Sequence, residues 1–208
     1  MANGKDGQLI TVFPDLDIVA VTTARKYVRY SALIDGVSDA VKSETALSPN
    51  PNAVKQLAKA IGDATVEKPT AVGAIPEIAS AISGKIYKFP DNDLELRSFT
   101  LFLTDPRPHL EYEQYLRYPV GSSVRYDTPI GLDGLYRKGS PALSGHYPGH
   151  IPAAKGTWLN GSTFVIDTQD IGYGTQIKYV LSFNGKKLNI RRIDEEGWEV
   201  SVNGEQHD

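Results

Sequence analysis

The sequence predicts a mainly β protein with a small α/β part at its amino-terminal end. Three observations carry this. Apolar runs rich in Val, Ile, Thr and aromatic residues recur from residue 8 onward, bounded by Gly, Pro, Asn or Asp. Asn160-Gly161 and Asn184-Gly185 each separate two such runs, the strongest short-range hairpin signal. Apolar residues at helical spacing are confined to two stretches, 29–43 and 52–62.

Residues 8–24 read as a β-hairpin. Gln8-Leu9-Ile10-Thr11-Val12-Phe13 and Ile18-Val19-Ala20-Val21-Thr22-Thr23 flank the turn residues Pro14-Asp15-Leu16-Asp17. Both runs are apolar on nearly every position, the pattern of strands covered on two faces. A two-stranded hairpin alone is marginal in water, so this one requires neighbours. A helix follows over 29–43, with Leu33, Ile34, Val37 and Val41 on one side. Ser48-Pro49-Asn50-Pro51-Asn52 breaks the chain. A second helix over 52–62 carries Val54, Leu57, Ala58 and Ile61 and ends near Gly62. Residues 67–80 contain Pro69, Gly73 and Pro76 and read as a linker with one helical turn near Glu77.

From residue 82 the chain becomes a succession of strands: 85–89, a turn at Pro90-Asp91-Asn92-Asp93, then 94–103 and 110–118. Residues 129–134 read as a turn-rich connector. Beyond 155, Ile177, Tyr179, Leu181 and Phe183 alternate with Gln176, Lys178, Val180 and Ser182, and Glu196-Gly197 makes a further turn. About eight antiparallel strands of this kind close into a lipocalin-like barrel or fold into a sandwich. The expected organisation is therefore 1–66, a linker over 67–80, and a β domain over 81–208.

Composition bounds the function. The chain has 208 residues, 40% hydrophobic and 23% charged, an ordinary globular balance. A net charge of −3 argues against a dedicated nucleic-acid binder. Residues 1–66 hold seven basic and seven acidic side chains, so neither part is polarised enough for electrostatic steering. No run approaches the roughly eighteen apolar residues of a membrane-spanning helix, and the first residues lack a signal-peptide pattern. Without cysteine there are no disulfides, thiolate ligands or thiol catalysis. No membrane span, nucleic acid or cofactor is expected.

The string from Gly4 to Thr23 carries the main functional signal. Lys5-Asp6-Gly7 opens an apolar strand, where a Lys would supply positive charge and a Gly would let a substrate backbone lie close. Alone, the tripeptide is a plain turn. With Gln8, the following strand, Pro14-Asp15-Leu16-Asp17 and the second strand, it resembles the last two strands of serine β-lactamase-related hydrolases. That group includes class C β-lactamases, D-alanyl-D-alanine carboxypeptidases and related esterases. Asp6 stands where these enzymes carry Thr or Ser. The resemblance covers roughly the first 45 residues. It implies that helix 29–43 packs on the hydrolase sheet, and that Lys5 and Gly7 border an active site opposite the serine. Residues 82–204 are similar, more loosely, to a β-rich segment that follows the hydrolase domain in some of these proteins. A periplasmic or secreted location would follow from the same kinship.

Such enzymes use Ser-x-x-Lys, whose Lys activates the nucleophile, and Tyr-x-Asn or Ser-x-Asn to relay the proton. No serine here has a Lys three residues on, and no Tyr-x-Asn occurs. Ser48-Pro49-Asn50 fits Ser-x-Asn but follows Lys5-Asp6-Gly7, in the wrong chain order. The chain is thus expected to be inactive alone, with the nucleophile on a missing amino-terminal portion. Its expected partners are that portion or a second copy, through residues 7–24.

Other candidates have plainer readings. His146 and His150 lie four apart, but Pro148-Gly149 forbids a helical metal site. His109 and His207 are isolated, so no metal site is assigned. Glu111, Glu113, Asp167 and Asp170 read as solvated strand faces rather than a glycosidase pair. Tyr112, Tyr115, Tyr118, Tyr126, Tyr136, Tyr147, Tyr173 and Tyr179 would either line a barrel mouth for a ligand or form cross-strand pairs. Two further readings stay open beside the hydrolase: a barrel that binds a small apolar ligand or a protein partner, and a barrel that only stabilises its parent.

Overall fold

The computed structural model describes residues 1–4, 7–24, 29–116, 121–141, 150–171 and 174–207. They form two compact units, Met1–Val66 and Glu67–Asp208.

The first unit holds an antiparallel sheet of three strands, β1 (Ala2–Asn3), β2 (Leu9–Phe13) and β3 (Ile18–Thr22), in that order. Pro14–Leu16 makes one 3-10 turn. Asp17 then adopts the left-handed conformation (φ 52°), which Asp tolerates, and returns the chain. Val12 thereby faces Val19, and Ile10 faces Val21. Burial alternates: Leu9 and Thr11 are buried, whereas Ile10, Val12, Val19 and Val21 are exposed. Among the described residues one face of the hairpin is covered and the second, equally apolar, is open.

Two helices follow. In α1 (Tyr30–Ala40), Leu33, Ile34 and Val37 are half-buried. The second, α2 (Pro51–Ala64), begins where Asn50 Oδ1 accepts from Ala53 N at 3.0 Å, with Pro51 pre-set for the first turn. Its apolar stripe of Val54, Leu57 and Ile61 is exposed.

The second unit is a closed β-barrel. Its nine staves are β4 (Ile86–Lys88), β5 (Leu96–Phe102), β6 (His109–Tyr115), β7 (Ser123–Gly131), β9 (Pro152–Asn160), β10 (Thr163–Asp170), β11 (Gln176–Asn184), β12 (Lys187–Asp194) and β13 (Glu199–His207). A short β8 (Arg137–Lys138) pairs with β9. A meander with an odd number of staves cannot close antiparallel throughout. Among the described residues, the one parallel contact is β7 with β9, through Ile130↔Ala154 and Gly131↔Lys155. The segment read as a connector over 129–134 thus begins inside a nine-residue strand. Val124, Tyr126, Thr128 and Ile130 alternate there in the inward phase, with Thr128 and Ile130 buried. Pro129 is tolerated in mid-strand; it faces His109 across β6.

One end of the barrel is plugged. The helical turn expected near Glu77 is α3 (Ile78–Ile82), whose Ala79 and Ile82 join the core. Residues 67–80, read as a linker, belong to the barrel unit. Glu67 accepts from Tyr136 N at 3.1 Å, Thr70 N donates to Gly134 O at 3.1 Å, and Gly73 N donates to Thr157 Oγ1 at 2.8 Å. At this end Tyr87, Leu101, Trp158, Phe164, Phe183 and Leu188 fill the interior. Gly156 makes room for them: a Cβ there would lie 2.3 Å from Phe164 Cζ.

Candidate functional site

Of the two residues that the hydrolase resemblance singles out, Lys5 lies outside the described residues. Gly7 is buried with φ 83°, a conformation that glycine adopts without strain. Its carbonyl accepts from Thr22 Oγ1 at 2.8 Å, and Thr22 Oγ1 in turn accepts from Leu9 N at 3.2 Å. Gly4 N donates to Gln8 O at 2.7 Å, folding β1 back onto β2. Gly7 therefore sits where the chain reverses before β2, not on an open strand edge. Beside it runs the apolar hairpin face of Ile10, Val12, Val19 and Val21, each 49–63% exposed.

The barrel interior divides into an apolar and a polar half. In the apolar half, the space among Val72, Gly73, Leu103, Trp158 and Phe164 is about 20 Å³, room for about one water molecule. Trp158 and Phe164 have ring centroids 5.0 Å apart, and Tyr87 and Phe183 5.9 Å. This half is packed rather than hollow.

The polar half lies toward the opposite end. Tyr112 and Tyr126 face each other on β6 and β7 and stack at 4.7 Å. Tyr126 meets the His150 ring edge-on at 6.5 Å. His150 Nδ1 lies 3.0 Å from Asp170 Oδ2, both side chains about 15% exposed. Tyr179 faces Arg192 across the β11–β12 register. Burial pushes the Tyr112 hydroxyl well above the ordinary tyrosine range, reinforced by Tyr179 and Tyr126. Burial also raises Tyr179, against the opposing pull of Arg192. Tyr112 and Tyr179 therefore stay neutral at physiological pH.

The structure thus sorts the sequence candidates. Tyr112 and Tyr126 form a cross-strand pair. Asp170, read as part of a solvated face, is corrected: it shares the inward phase of Phe164 and Ile166 and binds His150. Glu113 stays on the outer face, accepting from Arg97 at 3.1 Å, and Asp167 lies 3.8 Å from Lys178. His146, Tyr118, Tyr147 and Tyr173 lie outside the described residues. Sequence reasoning missed Arg192 and its neighbour Asp194, whose Oδ2 lies 4.0 Å from Arg192 Nη1. Their signal was present: Leu188, Ile190, Arg192 and Asp194 share one phase after the Asn184-Gly185 turn.

No protein-family model matches this chain, and no curated protein matches it in sequence. Among the described residues, no helix is long and apolar enough to cross a membrane.

Proposed function

We propose that this chain is the carboxy-terminal portion of a serine hydrolase related to the β-lactamases and D-alanyl-D-alanine carboxypeptidases. Its barrel is a non-catalytic accessory module. One observation carries the reading: the open face of the hairpin formed by Ile10, Val12, Val19 and Val21 in cross-strand register. Burying an aliphatic side chain of this size is worth ~1.5–3 kcal/mol, against a whole-domain stability of roughly 5–15 kcal/mol. A contiguous face of four is therefore the mark of a sheet that is normally covered. The exposed stripe of Val54, Leu57 and Ile61 adds to it. In this reading the cover is the rest of the hydrolase domain, which also brings the acylated serine and its lysine. That Lys5 and Gly7 border that site rests on the resemblance alone, since Gly7 is buried in the reversal before β2. The reading of the barrel as a carrier of a small apolar ligand gains no support from its packed apolar half.

Two measurements test this. The coding sequence upstream of Met1 is expected to continue in frame through a Ser-x-x-Lys and then a Tyr-x-Asn; an in-frame stop directly before Met1 contradicts the proposal. The chain alone is expected to keep its intact mass after incubation with a penicillin, and a stoichiometric adduct on one of its own serines contradicts its assignment as the non-nucleophilic portion.

A further inference from the structure

On the outer face of the barrel, β6 and β7 bring together three side chains that the sequence leaves apart. His109 and Glu111 are two apart on β6, so both point away from the core that holds Leu110. The register sets Asp127 of β7 directly opposite Glu111. One ligand atom from each of His109, Glu111 and Asp127 lies within 4.8 Å of the others, with His109 Nε2 at 4.0 Å from Glu111 Oε1.

Two observations beyond proximity bear on what this triad does. First, His109 Nδ1 lies 3.0 Å from Arg107 O. A carbonyl only accepts, so Nδ1 carries a proton, and in the neutral imidazole the Nε2 lone pair lies on the side of the carboxylates. That is the arrangement of a metal-ligating histidine, whose second nitrogen donates to a backbone carbonyl. The ring is clamped by Phe102, stacked at 4.3 Å and 6°. Second, two carboxylates directly opposite on adjacent strands repel, which a cation between them reverses.

We propose that His109, Glu111 and Asp127 form a binding site for a divalent first-row transition ion of the zinc kind. One imidazole with two carboxylates suits such an ion, and the remaining positions are left to water or a ligand. Tetrahedral zinc sets its ligand atoms about 3.3 Å apart, a contraction that the partly exposed Glu111 and exposed Asp127 side chains supply by rotation. The site adjoins an open groove of about 570 Å³ between Pro129 and Lys138.

The test is zinc titration of the full chain by calorimetry, with thermal melts to confirm folding. Wild type is expected to show a site that Asp127→Asn and His109→Gln each weaken about tenfold or more. Asp127 is exposed, so its variant decides the matter if His109→Gln fails to fold. Lys88→Gln is expected to leave binding unchanged, because the exposed Lys88 of β4 does not line the groove. Millimolar magnesium is expected not to displace zinc. The proposal is overturned if wild type takes up no zinc, if Asp127→Asn binds as tightly as wild type, or if magnesium displaces the ion.

Discussion

His150 and Asp170 meet inside the polar half of the barrel, His150 Nδ1 standing 3.0 Å from Asp170 Oδ2. The pair joins the segment before β9 to the end of β10 beside the stacked Tyr112 and Tyr126. Losing this hydrogen bond from a mostly buried pair costs about 0.5–3 kcal/mol. Asp170→Ala is expected to lower the melting temperature by several degrees. Asp170→Asn, which keeps an acceptor, is expected to lower it less. Equal effects from the two would show that the bond contributes nothing.

Alkaline pH provides a second test. Burial raises Tyr87, Tyr112 and Tyr179 above the ordinary value of 10.0. The unfolded chain therefore releases these protons at lower pH than the barrel does. Their stabilising effect is complete below about pH 10 and is lost as pH rises above it. Melting temperature is expected to fall from about pH 10 upward. Phenolate absorbance is expected to show some of the eleven tyrosines ionising only as the protein unfolds. Free titration of all eleven in a chain that stays folded would contradict the packing described.

The barrel should also fold on its own, provided it keeps the strap before α3. A chain of residues 67–208 is expected to melt cooperatively. Starting instead at residue 78 deletes the bonds of Glu67, Thr70 and Gly73 to Tyr136, Gly134 and Thr157. That shorter chain is expected to be less stable by about 1–3 kcal/mol, since net hydrogen bonds contribute roughly 1 kcal/mol each. Indistinguishable melts would mean the strap adds nothing.

Much of this fold was legible in the sequence because its signals are local. Asn184-Gly185 and Glu196-Gly197 fix turns, and alternation fixes which residues face inward. The strand 123–131 was hidden because Asp127 and Pro129 interrupt an apolar pattern whose inward positions include Tyr126 and Thr128. Barrel closure by a parallel pair of β7 and β9 is a long-range event without a local signature. The same holds for the His109, Glu111 and Asp127 cluster: the i, i+2 spacing of the first two was visible, but Asp127 joins them only through the β6–β7 register. In the hairpin the strands were plain, whereas the degree of cover was not, because an apolar run does not say which faces its own chain encloses.

The proposed function requires protein outside this chain to cover the exposed face of Ile10, Val12, Val19 and Val21. In isolation a second copy should take that place, since exposed apolar sheet surface recruits other chains. Sedimentation velocity across the micromolar range measures this directly. Wild type is expected to self-associate, and Val19→Lys with Val21→Lys is expected to shift it to monomer while the barrel melt stays unchanged. A wild-type chain that sediments as a concentration-independent monomer would contradict the claim.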